Sequence, residues 1–372
     1  MARSGPTSQR FSLDRWWHVR FRGGLLCGAL SFCAGYDAPV RYLVTGGSGY
    51  IGSRLVERLS QREGTERILI CDIRPPASFR PKSQFEQLDV TGKSRVREVI
   101  EREKPDVLIH LAFLLNPIHD EFRMYEVDVG GTQNVLEAAE ASGVQQVLVT
   151  SSATAYGAFP DNPVPITEAH PVRGVPDFEY ARDKAECDRL CQLWALRNPE
   201  RVMTIVRPCI VLGPNVNNYI VRLWTDQPFQ MDIGAGETPM QFVHEDDVVE
   251  GLILLIEGRH GGAFNVAGDG VLTINQCGDL IGLKRRKMPL KAAWRLAGVM
   301  WKLRQSETPP GNLHFALHPW VVANDKLKSV GWQPRYSTRE TFEIAMRARG
   351  KFPADGGGGG VSLPEPAQPV GA

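Results

Sequence analysis

Residues 41–52 read RYLVTGGSGYIG, and this stretch decides the fold. Its apolar start, Tyr42 to Val44, has strand character. Thr45, Gly46, Gly47 and Ser48 then turn sharply. From Gly49 the chain takes helical spacing, with Ile51, Leu55, Val56 and Leu59 on one side. Gly46, Gly49 and Gly52 set a G-x-x-G-x-x-G pattern between strand and helix. Such a turn needs one glycine for the tight bend, one for close backbone approach to a pyrophosphate, and one for packing the helix on the strand. The helix N-terminus then offers free N–H groups and a positive dipole end to phosphates. Further on, the apolar run 68–71 closes on Asp72, 20 residues past Gly52. That suits a carboxylate accepting from ribose hydroxyls. A glycine turn alone is a common structural device. Strand, helix and spaced acid together predict a dinucleotide site.

The chain has 372 residues, 42% hydrophobic and 23% charged, which is ordinary globular composition. Its net charge of +1 implies no nucleic-acid partner. Seven cysteines are scattered without C-x-x-C spacing. Cys187 and Cys191 stand four apart on a predicted helix, with no histidine pair beside them. They read as reduced, partly buried thiols rather than metal ligands, in a cytoplasmic compartment.

Residues 1–38 differ from the rest: they are rich in arginine and poor in acid. Their mildly apolar stretch 25–34 is too short to span a bilayer, so no stable membrane insertion is expected. They read best as a disordered extension from a start codon placed too far upstream. A signal peptide and an organelle presequence are the alternatives. Residues 351–372 hold a run of five glycines and several prolines and read as a disordered tail.

Between these ends, strands alternate with helices. A strand at 83–88 leads into Asp89 and Val90, beside the adenine. A helix at 93–103 stops before Pro105, and a strand at 106–110 runs into Leu111 and Ala112. A long helix at 121–142 precedes a strand at 146–150 and the segment SSATAYG. A proline-rich loop, a helix at 178–196 and a strand at 201–206 follow. This order implies right-handed crossovers, a parallel sheet and ligands at the carboxyl ends of the strands. We divide the chain into a nucleotide-binding domain at 39–210 and a smaller lobe at 211–350. That lobe returns strands to the sheet and is mostly helical from Val271.

Tyr180-Ala181-Arg182-Asp183-Lys184 is the most chemically pointed motif. Residues four apart share a helix face, so Tyr180 and Lys184 reach a common ligand. A phenol, with an ordinary pKa of about 10, is a poor base at neutral pH. An adjacent ammonium and the positive ring of an oxidised nicotinamide favour the phenolate. Tyr180 then exchanges a proton with a substrate hydroxyl while hydride moves. Lys184 also bonds the nicotinamide ribose, and Ser152 steadies the substrate oxygen.

These stretches resemble the extended short-chain dehydrogenase/reductase family, and within it the NAD-dependent epimerase/dehydratase group. TGGSGYIG at 45–52, Asp72, Asp89-Val90, HLA at 110–112, SSATAYG at 151–157 and YARDK at 180–184 carry the resemblance. FVHEDDV at 242–248, FNVAG at 264–268 and GWQPRYS at 331–337 extend it. It implies an α/β fold: a Rossmann-type doubly wound parallel sheet of about seven strands with a smaller C-terminal substrate lobe. It also implies NAD as cofactor and a Ser152, Tyr180 and Lys184 triad. Gly46, Gly49, Tyr50, Ile51, Gly52, Asp72, Asp89, Val90, Leu111 and Ala112 would line the cofactor with Tyr180 and Lys184. The backbone after Arg207 would pass near the nicotinamide. A homodimer is left open.

Departures from the pattern bear on the substrate. Nucleotide-sugar enzymes usually carry an asparagine where Ile210 stands and often an arginine where Met240 stands. Both would contact the pyrophosphate. Residues 207–214, RP-x-x-V-x-GP, are more like the hydroxysteroid dehydrogenase and dihydroflavonol reductase branches. Asp128 replaces a commoner asparagine in VDVGGT. The first expectation is an NAD-dependent oxidoreductase of a small-molecule secondary alcohol or ketone. A nucleotide-sugar 4-epimerase or dehydratase is the second, and a non-catalytic NAD(H) sensor the third.

Overall fold

The computed structural model describes residues 38–352. Strand β1 (Val40–Thr45) sits inside a seven-stranded sheet with β2 (Thr65–Asp72), β3 (Ser83–Gln87), β4 (Val107–His110), β5 (Gln146–Thr150) and β6 (Val202–Pro208). The strand Gly262–Val266 completes it. The order is Gly262–Val266, β6, β5, β4, β1, β2, β3, and every neighbouring pair is parallel. A parallel sheet must be covered on both faces, so the middle of each inner strand is a buried, mainly apolar run. In β1 the alternation is visible. Tyr42 and Val44 join one buried cluster with Leu55, Val56 and Leu59 of helix α1 (Tyr50–Ser60). Leu43 joins the other, with residues of α2 (Lys93–Glu103) and α4 (Gly131–Ala141). The strand order reverses between β1 and β4, the switch point where such sheets open a crevice. The glycine turn after β1 lies there.

The helix expected over 121–142 is interrupted. Helix α3 (Glu121–Tyr125) passes into a π-helical turn at Glu126–Gly130 before α4. The wide turn brings Asp128 inward, and its carbonyl accepts from the Thr132 hydroxyl at 2.6 Å and the Cys187 thiol at 3.2 Å. Hydrophobic spacing alone does not reveal such a turn, because the α period resumes after it. The third strand ends at Gln87, so Asp89 lies in a loop.

Helix α5 (Glu179–Arg197) buries Tyr180, Lys184, Cys187, Asp188 and Cys191 on one face. Beyond β6 the alternation gives way to short pairs. Ile210–Leu212 pairs parallel with Phe242–His244, Gln230–Asp232 parallel with Arg285–Lys287, and Pro239–Met240 antiparallel with Leu272–Thr273. The part after Val271 is helical apart from two of these strands. Capping boxes at Thr273 with Gln276 and Ser337 with Glu340 fix two helix starts.

The described cysteines, Cys71, Cys187, Cys191, Cys209 and Cys277, are free and fully buried rather than partly so. Among the described residues, no helix is long and apolar enough to cross a membrane. The expectations for the two chain ends fall on residues 1–37 and 353–372, outside the described residues.

Candidate active site

The glycine turn is built for close approach. Gly46 has φ +72°, and a Cβ there would stand 2.5 Å from the Ala112 nitrogen. A Cβ on Gly52 would stand 2.2 Å from the Gly46 carbonyl oxygen. The backbone of Leu111 and Ala112 is thus pressed against the turn, with Leu111 N–H donating to Thr45 at 2.9 Å. Gly49 caps α1 without a side-chain hydrogen bond, so the first N–H groups of α1, from Tyr50 to Gly52, point out of the turn without a side-chain cap. The Tyr50 phenol donates to Glu245. Asp72 ends β2 and accepts from Ser48 N–H at 3.1 Å and Arg74 N–H at 3.3 Å.

Asp89 and Val90 are placed differently. Asp89 is exposed and held by Thr91 and by Arg123 at 3.1 Å. Val90 packs under α4, where a Cβ on Gly131 would meet its side chain at 2.5 Å.

Ser152 follows β5 in extended backbone and caps a short helical turn, Ala153–Tyr156. Its hydroxyl accepts from the Thr154 N–H at 3.1 Å and from the Thr154 hydroxyl at 2.8 Å. Lys184 is 4% exposed and donates to the Thr150 carbonyl at 2.7 Å. Its ammonium lies 3.4 Å from the Phe113 ring centroid and 5.9 Å from that of Tyr180. Phe113 packs edge-on against Tyr180 at 5.7 Å.

The electrostatics differ from the expectation in one respect. Burial pushes the Tyr180 phenol above its ordinary value; the Ser152 hydroxyl pulls it back and Asp128 adds to the rise. Lys184 does not draw it down, because its ammonium is turned to Thr150. Burial also lowers Lys184 and raises Asp128, with each charge moderating the other. Asp128 is fully buried; one carboxylate oxygen accepts from Leu114 N–H at 2.8 Å and the other has no hydrogen-bond partner. His110 is neutral, its pKa lowered by burial to about 3, and bridges Thr45 at 2.6 Å and Thr132 at 3.1 Å.

A cavity of about 820 Å³ joins these parts. Gly46, Gly49, Tyr50, Ile51, Gly52 and Leu111 line it together with Ser152, Tyr180 and Lys184. Asp72, Asp89, Val90 and Ala112 are not among its lining residues. Beyond Tyr180 the wall is largely apolar and includes Phe178, Ile210, Tyr219, Trp224, Met240 and Phe315. Thr154 lies inside SSATAYG, whereas Phe113 and Tyr219 carry no sequence signal of their own. Only the fold brings them to the motif residues.

Arg207 is not directed to a ligand. Its guanidinium forms a bidentate pair with Asp188 of α5 at 2.8 and 2.7 Å and donates to the Tyr156 hydroxyl at 2.7 Å. The backbone that follows, Pro208 to Ile210, does line the cavity.

Residues 42–267 match the NAD dependent epimerase/dehydratase family. The chain belongs to that family. Its fold is accordingly the Rossmann-type fold of the extended short-chain dehydrogenase/reductases, its cofactor is NAD and it is an enzyme. An uncharacterized protein of Sinorhizobium fredii is 26% identical over 346 residues, 88% of this chain and 84% of the relative. An uncharacterized epimerase/dehydratase of Staphylococcus aureus is 27% identical over 234 residues, 58% of this chain and 70% of the relative. UDP-glucose 4-epimerase of Thermotoga maritima, solved with UDP-glucose, superposes with a TM-score of 0.65 at 20% identity. That match covers 83% of this chain and 98% of the epimerase. The dTDP-glucose 4,6-dehydratase DesIV of Streptomyces venezuelae, solved with NAD and TYD, gives 0.65 at 22% identity, covering 83% and 96%. The glycine cradle and the helix start without a side-chain cap fit the dinucleotide of this family.

Proposed function

We propose that this family member moves hydride at a secondary alcohol or ketone of an uncharged, partly hydrophobic substrate. The observation that carries this is the cavity, which runs from the glycine turn past Ser152, Tyr180 and Lys184 into an apolar wall. NAD, when bound, supplies the hydride acceptor or donor. The first N–H groups of α1 hold its pyrophosphate and Asp72 accepts from its adenosine ribose. Lys184, anchored on Thr150, bonds the nicotinamide ribose. Ser152 orients the substrate oxygen and Tyr180 exchanges the proton. Burial keeps the Tyr180 phenol protonated, so it is ready to act as acid toward a ketone. Acting as base on an alcohol needs added positive charge beside it. The lobe at 211–350 shapes the substrate end, and a cytoplasmic homodimer belongs to the same proposal.

Ile210 and Met240 are buried in the cavity wall, where phosphate-binding side chains would stand. Arg222 also lines the cavity, but it is paired with Glu307 at 2.8 Å. A phosphate oxygen left there without a donor costs about 1–3 kcal/mol for each unmade bond. A nucleotide-sugar 4-epimerase or dehydratase is the second reading. It is supported by the UDP-glucose and TYD in structures of the same fold. Calorimetric titration of UDP and dTDP into the NAD-loaded protein separates the two. Weak or absent binding is expected, whereas micromolar affinity for either restores the second reading.

A further inference from the structure

We propose that the face formed by helix Leu290–Lys302 and strand Arg285–Lys287 docks on an anionic membrane surface. The cavity mouth then lies against the bilayer. Residues 284–304 hold eight lysines and arginines and no Asp or Glu, in a chain whose net charge is only +1. Arg285 is paired with Asp279, and Arg286 lies 4.4 Å over the Phe229 ring. Lys291, Arg295, Lys302 and Arg304 form no ion pair among the described residues.

The helix itself is only loosely held. Of its 13 residues only Ala293 is buried. Leu296, Val299 and Leu303 are 42%, 53% and 61% exposed. At about 100° per residue they fall on one edge, beside the edge that carries Lys291, Arg295 and Lys302. An apolar edge flanked by cations is the signature of a helix lying in a bilayer interface. Ala293, Ala297 and Met300, on another side of the same helix, line the cavity, and Leu296 borders both. Leu223 and Met231, also cavity-lining, are 42% and 39% exposed. The cavity thus opens next to the uncovered apolar edge.

Charge selects the occupant. A second copy related by a two-fold axis would set the same cations against themselves. Residues 1–37 carry five arginines against two aspartates and share the sign of the patch. An anionic lipid surface is complementary, each Lys or Arg near it adding to the attraction. With no membrane-crossing helix among the described residues, the docking is peripheral. This inference is independent of the substrate assigned above, because vesicle binding is measured without substrate.

The test is co-sedimentation of the full-length, NAD-loaded protein with phosphatidylcholine vesicles, with and without phosphatidylglycerol. Binding to the anionic vesicles only is expected, released as salt is raised. Lys291→Glu/Arg295→Glu/Lys302→Glu should weaken it at least about tenfold. Val299→Ser/Leu303→Ser, which leaves every charge in place, should remove the fraction that resists salt. Unchanged NAD binding and Tm show that both variants fold. No binding to anionic vesicles at low salt overturns the proposal. So does undiminished binding by the charge variant, or wild-type self-association in light scattering that Val299→Ser/Leu303→Ser abolishes. Equal binding to heparin, insensitive to Val299 and Leu303, would mark a general polyanion site and overturn it too.

Discussion

Tyr180 is where the chemistry is proposed to converge, and Tyr180, Asp72 and Asp128 can each be tested singly. Tyr180→Phe keeps the ring packed against Phe113 and removes only the phenol. Turnover should fall by about 10²–10⁴-fold while NAD affinity in calorimetry stays near wild type. Wild-type-like turnover would show that the Tyr180 phenol is not the group that exchanges the proton. Asp72, at the end of β2, should set the cofactor choice. It accepts from a free ribose hydroxyl and repels a 2′-phosphate, so NAD should bind more tightly than NADP. Tighter NADP binding would overturn its role, and nearby Arg74 would be the reason. Asp128 sets a pH dependence. Its folded pKa is raised by burial, so its protonated form favours folding. That contribution is fully present below the ordinary carboxylate value of 3.8 and is lost as pH rises through the folded value. Asp128→Asn keeps an acceptor for Leu114 N–H and does not ionise. In denaturant melts from pH 4 to pH 7, wild type should therefore lose stability relative to the variant. A pH-independent difference would show that Asp128 is already ionised in the fold throughout.

At the level of elements, the buried Arg207–Asp188 pair links β6 to α5, beside the apolar contact of Cys191 and Trp194 with Met203 and Ile205. Both side chains of the pair are nearly inaccessible, at 3% and 0%. Removing one partner of such a pair leaves a buried charge and costs about 3–5 kcal/mol. Asp188→Ala should lower the urea midpoint accordingly, without a change in slope. A loss under about 1 kcal/mol would mean that water reaches Arg207. The elements themselves were largely legible. Apolar runs of three or four residues marked β1, β2, β4 and β5, and helical spacing with Pro105 bounded α2. The π-turn at Glu126–Gly130 was not, because the α period resumes after it and one partner of its Asp128 carbonyl, Cys187, is brought there only by the fold. The short pairs in the lobe escaped too, since two- or three-residue strands leave no period to read.

Across the whole molecule, the sequence placed the Rossmann sheet and its switch point because each βα unit carries its own local signals. Relations between distant segments stayed hidden. Phe113 over Lys184, Tyr219 in the cavity and Tyr50 against Glu245 each depend on elements that meet only after folding. The cation run at 284–304 was visible as residues, yet the net charge of +1 concealed it. Substrate class is the point on which the architecture and the relatives of known structure pull apart. The fold is shared with nucleotide-sugar enzymes of known structure, whereas Ile210 and Met240 put apolar side chains into this cavity wall. The most direct measurement is formation of reduced nicotinamide by the NAD-loaded protein, offered apolar cyclic secondary alcohols in parallel with UDP- and dTDP-sugars. Turnover with an apolar alcohol, abolished by Tyr180→Phe and absent with the sugars, is the result predicted here. Turnover or epimerisation of a nucleotide sugar, with none on any apolar alcohol, would contradict it.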